Sequence, residues 1–115
     1  MGEVEPGEVF SWTIRAEKVP AADWSAESLD IPTGSVVKLE EFMVVDETTA
    51  DKTISLGFKR AGTSYWLISK PAGTNVKGIL LETPIFLVGG ERLIAKVASA
   101  SANDVLYAVA RGLYI

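Results

Sequence analysis

The feature that most constrains this chain is a recurrence of short runs in which apolar and polar residues alternate, each closed by a turn signal after about ten residues. Period two is the side-chain period of a strand, so each run has one face that can be buried and one that can meet water. Phe10, Trp12 and Ile14 alternate with Ser11, Thr13 and Arg15, and Pro20 ends that region. Residues 23–31 are weaker, with Trp24, Leu29 and Ile31 as the large apolar residues, and Pro32-Thr33-Gly34-Ser35 closes them as a turn. Residues 36–46 form the clearest strand. They begin in alternation, Val37 and Leu39 against Lys38 and Glu40, and finish in Phe42-Met43-Val44-Val45, as expected where both faces are covered.

A polar loop over 46–52 leads to Ile54, Leu56 and Phe58, alternating with Ser55, Gly57 and Lys59. Ala61-Gly62-Thr63 supplies a hairpin turn into residues 65–68, and the loop from Pro71 to Asn75 holds residues able to take positive φ. Residues 79–82 and 85–88 read as two short apolar strands broken at Pro84. Gly89-Gly90 is the strongest turn signal and predicts a tight hairpin between Phe86-Leu87-Val88 and Leu93-Ile94-Ala95. A last strand runs over 105–115, with Val105, Tyr107, Val109 and Arg111 on one face and Leu106, Ala108, Ala110 and Gly112 on the other.

Leu93, Ile94, Val97, Ala98, Val105, Leu106, Val109, Ala110 and Leu113 also fit a helical stripe. Two strands are favoured, because Ser99 to Asp104 is a poor helix interior whose Ser, Asn and Asp side chains compete for backbone hydrogen bonds. About eight short strands predict an all-β fold, a single-domain antiparallel β-sandwich of the jelly-roll kind. At 115 residues there is room for one core. Residues 1–8 are acidic, hold Gly2, Pro6 and Gly7, and offer only Val4 to a core beyond the first Met, so they read as a flexible arm ahead of a sandwich domain over 9–115.

The absence of both Cys and His removes disulfides, thiolate nucleophiles, the common zinc sites and every triad that needs a histidine. The formal net charge is -4, and no basic cluster is longer than Lys59-Arg60, which argues against nucleic acid as a partner. Glu3, Glu5 and Glu8 carry most of the excess, so the body is almost neutral. No uncharged run approaches the ~20 residues of a membrane helix, and the first residues lack the basic and apolar regions of a signal peptide. No membrane contact and no secretory route are therefore expected.

Among the chemistries left, paired carboxylates are the commonest, with Glu40, Glu41, Asp46, Glu47, Asp51, Glu91 and Asp104 as candidates. Glu40 and Glu41 are adjacent and point to opposite faces unless a bulge intervenes, while Asp46, Glu47 and Asp51 read as solvated turn residues. A calcium loop from the latter three lacks the spacing of the usual motif. Gly89-Gly90-Glu91-Arg92 lies between strands with no helix to bind phosphate. The chain is thus expected to be no enzyme and to need no cofactor or metal. Trp12, Trp24 and Trp66 could form a stacking platform for a sugar. Trp12 shares the Phe10 and Ile14 face and is assigned to the core, Trp66 points away from Tyr65 and Leu67, and Trp24 is the best candidate for an exposed aromatic.

The C-terminal half resembles small structural proteins of tailed bacteriophages, in particular capsid decoration or cement proteins and related virion accessory modules. The likeness is carried by a strand ending in a glycine turn and an acid, Thr83 to Arg92, an aliphatic strand into the small-residue turn Ala98 to Asp104, and the final strand Val105 to Leu113. Ile31-Pro32-Thr33-Gly34-Ser35-Val36 is similar to the start of such modules, and the loop from Pro71 to Gly78 has no counterpart. The resemblance implies a virion protein, made in the host cytoplasm, that binds the major capsid protein on the outer surface of the head, clamps neighbouring subunits and associates as a trimer. The partner-binding residues expected on this basis, with the arm ordering on docking and the less regular aromatics exposed, are Glu3, Val4, Glu5, Glu8, Trp24 and Trp66. The alternative is a carbohydrate- or receptor-binding module of a tail or head fibre.

Overall fold

Alternation over the runs above produces strands wherever an apolar face can be covered by another sheet. The computed structural model describes residues 5–115. It contains nine strands among the described residues and no helix, so the helical stripe near the C-terminus is resolved as two strands. In chain order they are β1 (Val9–Ala16), β2 (Trp24–Glu27), β3 (Val36–Asp46), β4 (Thr53–Arg60), β5 (Thr63–Pro71), β6 (Gly78–Leu81), β7 (Ile85–Val88), β8 (Arg92–Val97) and β9 (Leu106–Tyr114). One sheet has the order β1-β9-β3-β6, with β7 also on β3, and the other has the order β2-β8-β4-β5. All neighbours are antiparallel. Counting β6 and β7 as one strand interrupted at Pro84, the eight strands and their order are those of a jelly roll.

The two inner faces interlock in a core that includes Phe42, Leu39, Leu56, Leu87, Leu93 and Leu106, each at most 1% exposed. Full burial of a side chain such as Phe42 contributes about 1.5–3 kcal/mol. Trp12 lies edge-on to Phe42, with ring centroids 6.3 Å apart, as its place beside Phe10 and Ile14 requires. β9 is central, between β1 and β3. Its inward face is the small one, Leu106, Ala108 and Ala110, all fully buried, whereas Tyr107 and Val109 are half-buried on the outer face. Small residues there allow the opposing sheet to approach.

Gly89-Gly90 is a turn, but it does not make the expected hairpin. β7 pairs with β3 and β8 pairs with β4 and β2, so the chain passes from one sheet to the other at this point. Gly90 has φ 86°, and a Cβ on Gly89 would stand 2.8 Å from the Pro32 carbonyl oxygen and from the Thr33 Cα. Ile31 and Gly90 hold the crossing in place, Ile31 N–H donating to the Glu91 carbonyl at 2.7 Å and Gly90 N–H to the Ile31 carbonyl at 2.9 Å. The turn that resembles the start of the phage modules therefore packs directly against the glycine pair.

Candidate interaction surface

The sheet β2-β8-β4-β5 ends at β5, whose residues are exposed along its length except for half-buried Ile68. Its register shifts between Leu56 and Gly57, so that Leu56 faces Ile68 while Gly57 faces Trp66, and Leu67 is the extra residue. This bulge reorients the two aromatics. Tyr65 falls opposite Phe58 and stacks on it, with centroids 5.2 Å apart, whereas Trp66 lies over Gly57 on the outer side of the sheet. Tyr65, Trp66 and Leu67 are 45%, 43% and 39% exposed on an unpaired edge. Trp66 also borders a depression of about 310 Å³ shared with Asp23, Ser25, Glu27, Ser64 and Lys96. An aromatic plane beside carboxylate, hydroxyl and ammonium groups can stack on a ring and hydrogen-bond its substituents.

Trp24 is placed differently from expectation. It pairs with Val97, whose side chain is fully buried, and is itself half-buried against the core, so Trp66 and not Trp24 is the exposed tryptophan. The three tryptophans accordingly form no single platform. Of the arm residues, Glu3 and Val4 lie outside the described residues. Glu5 and Glu8 are exposed, and the backbone around them is tied to β9: Gly7 N–H donates to the Tyr114 carbonyl at 2.7 Å, and Tyr114 N–H to the Glu8 carbonyl at 2.9 Å. Burial, then the Glu8 charge, raises the Tyr114 hydroxyl above its usual range.

Two carboxylates that read as candidates are buried in the structure. Asp46 is fully buried and not a solvated turn residue, because it ends β3 and caps the following loop: its Oδ1 accepts the N–H groups of Thr48 at 3.1 Å and Thr49 at 2.9 Å. Asp104, 1% exposed, does the same for the loop before β9, accepting Thr49 Oγ1–H at 2.8 Å and Ser101 N–H at 2.9 Å. Burial first, then hydrogen bonding to Asp104, pushes Asp46 up to about 6, against the two backbone donors that favour its anion. Desolvation alone would raise Asp104 as well, but hydrogen bonds from Asp46, Thr49 and Ser101 and the Lys52 charge hold it below the usual range. The two carboxyl groups tie these loops together through Thr49.

Glu91 is 2% exposed and also structural: Oε1 accepts Val88 N–H at 2.7 Å, and Oε2 accepts Arg60 Nε–H at 2.7 Å in a two-pronged ion pair. A bulge does intervene between Leu39 and Glu41, leaving Glu40 without a β9 partner and setting Glu41 opposite Arg111. Asp51, at φ 59°, stays an exposed turn residue that accepts Gly73 N–H at 3.0 Å. Among the described residues, no group of three or more Asp or Glu stands where it could hold a metal ion.

The outer face of the other sheet is also apolar. Register places Val9, Leu113, Lys38 and Phe86 in one row across β1, β9, β3 and β7, with Val36 beside Val88 in the next. Val9 and Phe86 are 70% and 59% exposed. A charged row follows, Ser11, Arg111 and Glu41, and then Thr13, Val109, Met43 and Leu80.

No family model matches the sequence, and no curated protein sequence does. Among solved structures, the chain is similar to the Drosophila NLP core, described with its pentamer formation and histone binding, at TM-score 0.49 and 9% identity over 94% of this chain and 98% of that one. It is also similar to the family 32 CBM of C. perfringens NanJ in complex with galactose, at TM-score 0.40 and 11% identity over 91% and 93%. A third likeness is to infectious bursal disease virus, Gx strain, at TM-score 0.24 and 10% identity over 95% of this chain and 42% of the other. At such scores and identities these likenesses say nothing about function.

Proposed function

We propose that this β-sandwich is a structural virion protein, a capsid decoration protein that binds the major capsid protein on the outside of the head and strengthens contacts between its subunits. The observation that supports it most is β5, a nine-residue edge strand that presents Tyr65, Trp66 and Leu67 together with unpaired backbone donors and acceptors. Soluble domains usually blunt such an edge, because it invites pairing with another chain. Lys70 and Pro71 blunt only its end. A strand or loop of a capsid subunit could extend the sheet there, with Trp66 as the anchor on the outer side. The phage resemblance of residues 30–115 supplies the class of partner.

Co-sedimentation of the purified protein with expanded capsid shells tests this. Saturable binding that Trp66→Ser weakens at least tenfold is expected, and no sedimentation at tens of micromolar would overturn it.

A carbohydrate- or receptor-binding role is the second reading, favoured by the position of Trp66 at the rim of the polar depression with Asp23, Glu27 and Lys96. It would require glycan-array binding by the isolated domain that Trp66→Ser removes while shells are ignored.

A further inference from the structure

We propose that the outer face of the β1-β9-β3-β7 sheet is the interface of a two-fold dimer of this chain, the axis running along the strands between β9 and β3. Three relations on that face carry it. The first is charge. Arg111 on β9 stands opposite Glu41 on β3, and neither takes part in any ion pair among the described residues. A two-fold axis between these strands exchanges β9 with β3 across the interface. It therefore sets Arg111 of each copy over Glu41 of the other, making two identical ion pairs at the centre of the contact.

The second relation is apolar. The same operation exchanges β1 with β7 and lays Val9 over Phe86 of the second copy, covering two of the most exposed large apolar residues with each other. In the row beyond the charges, Val109 falls over Met43. An axis along β9 stacks Arg111 on Arg111, an axis along β3 stacks Glu41 on Glu41, and an axis across the strands through this row does both. With the axis between β9 and β3 the charges of this face are self-complementary, as a closed isologous contact requires. Aligned packing of two sheets about 30° apart keeps the rows close to register.

The third relation is size. Four strands at ~4.8 Å spacing and eight residues at ~3.3 Å rise give a face of roughly 500 Å² in plan, and more in accessible area. That is the scale of the ~800 Å² per partner of a standard interface. The face lies on the sheet opposite β5, so pairing leaves the β5 edge of both copies free for another partner, and it does not depend on the capsid reading. Where the phage resemblance implies a trimer, this face closes at two.

Because the chain has no cysteine, introduced thiols report the contact directly. Within one chain positions 9 and 86 are three strand spacings apart, about 14 Å, too far for a disulfide, which needs Cα atoms within about 7 Å. The double variant Val9→Cys/Phe86→Cys should oxidise to a covalent dimer that stops at two chains, while either single variant stays uncrosslinked. Sedimentation equilibrium of the unmodified protein should give a dimer, with self-association at least tenfold weaker in Phe86→Glu and in Glu41→Arg, and restored in Glu41→Arg/Arg111→Glu. Leu80→Glu, at another exposed position of the face, serves if Phe86→Glu fails to fold, with circular dichroism as the check. A monomer at hundreds of micromolar, a covalent ladder beyond two chains, a trimer, or self-association indifferent to these changes would each overturn the proposal.

Discussion

Asp46 and Asp104 are carboxyl groups at the ends of two different loops, both buried and both accepting a hydrogen bond from Thr49, with their acidities displaced in opposite directions. The loop after β3 and the loop before β9 are joined through them, since Thr49 donates to Asp104 while Thr48 Oγ1 accepts the Val105 N–H at 3.0 Å. Burial first, and then the neighbouring Asp104, disfavour the Asp46 anion, so Asp46 keeps its proton up to about pH 6.

The sign of its pH dependence follows. Asp46 has a folded pKa of about 6 against 3.8 when unfolded, so the folded chain binds the extra proton across that window. Its contribution is fully present below about pH 4 and is lost as pH rises through 6. Asp104 works the other way, its contribution being lost only as pH falls below the usual carboxylate range. Asp46→Asn keeps an acceptor for Thr48 and Thr49 and a donor for Asp104 with no titrating proton. It should raise the melting temperature at pH 8 by roughly 5 °C and change it little at pH 4.5. Melts at the two pH values check this, and an equal shift at both would overturn the raised Asp46 pKa.

Glu91 joins the sheet crossing to the end of β4 through Val88 and Arg60. Glu91→Ala leaves the Val88 N–H unsatisfied and a cavity beside it, at a cost of about 2–4 kcal/mol. Glu91→Gln retains the acceptor and loses the charge. Because Arg60 is 58% exposed, its part of the ion pair is weak, and the Gln variant should cost only about 1 kcal/mol in urea unfolding.

The central strand β9 separates two substitutions that look equivalent in sequence. Ala110 is fully buried and faces the opposing sheet, so Ala110→Asp puts an uncompensated charge in the core and should abolish soluble expression. Val109 is half-buried on the outer face, where an Asp can reach water, so Val109→Asp should leave the fold intact and lower the melting temperature by only a few degrees.

The residues over 36–46 are enough to read β3 to its ends, because the alternation up to Leu39 and the final apolar run survive into the structure on either side of the bulge at Glu40. The faces of β9 were equally legible, but not which of them points inward. Ala108 and Ala110 make a weaker apolar signal than Tyr107 and Val109, and only the closeness of the opposing sheet selects the small ones. Gly89-Gly90 announced a turn, yet a hairpin and a crossing between sheets need the same positive φ and the same small residues, and only the register of β7 on β3 tells them apart. The bulge beneath Trp66 left no mark in sequence beyond Gly57. The burial of Asp46 was hidden for a related reason: an Asp that caps a loop from inside and one solvated in a turn have the same neighbours in the chain.

Gly57 tests that bulge. A Cβ there would sit 2.0 Å from the Tyr65 carbonyl oxygen and 2.9 Å from the Trp66 Cα, both backbone atoms that cannot turn aside. Gly57→Ala should therefore push β5 away from β4 and cost several kcal/mol, whereas Gly62→Ala, with open space around its Cβ, should cost about 1 kcal/mol for its positive φ. Hydrogen exchange at β5 amides separates local loosening from global unfolding.

The C-terminus carries the last prediction. Tyr114 lies in ladder with Val37, packs edge-on against Phe10 with centroids 6.1 Å apart, and exchanges backbone hydrogen bonds with Gly7 and Glu8. Ile115 N–H donates to the Val36 carbonyl at 2.9 Å. Removing Leu113 to Ile115 frees Val9 and Lys38 of their β9 partner and strips the ring from Phe10, so β1 loses its hold at the end where the chain enters the sandwich. With several ladder bonds at about 1 kcal/mol each and a half-buried aromatic lost, the truncation should lower the melting temperature by more than about 10 °C. Tyr114→Ala, which keeps the backbone bonds and removes only the ring, should lose roughly half as much, and Tyr114→Phe almost nothing. A truncated chain that melts with the intact one would show that β9 ends before Leu113.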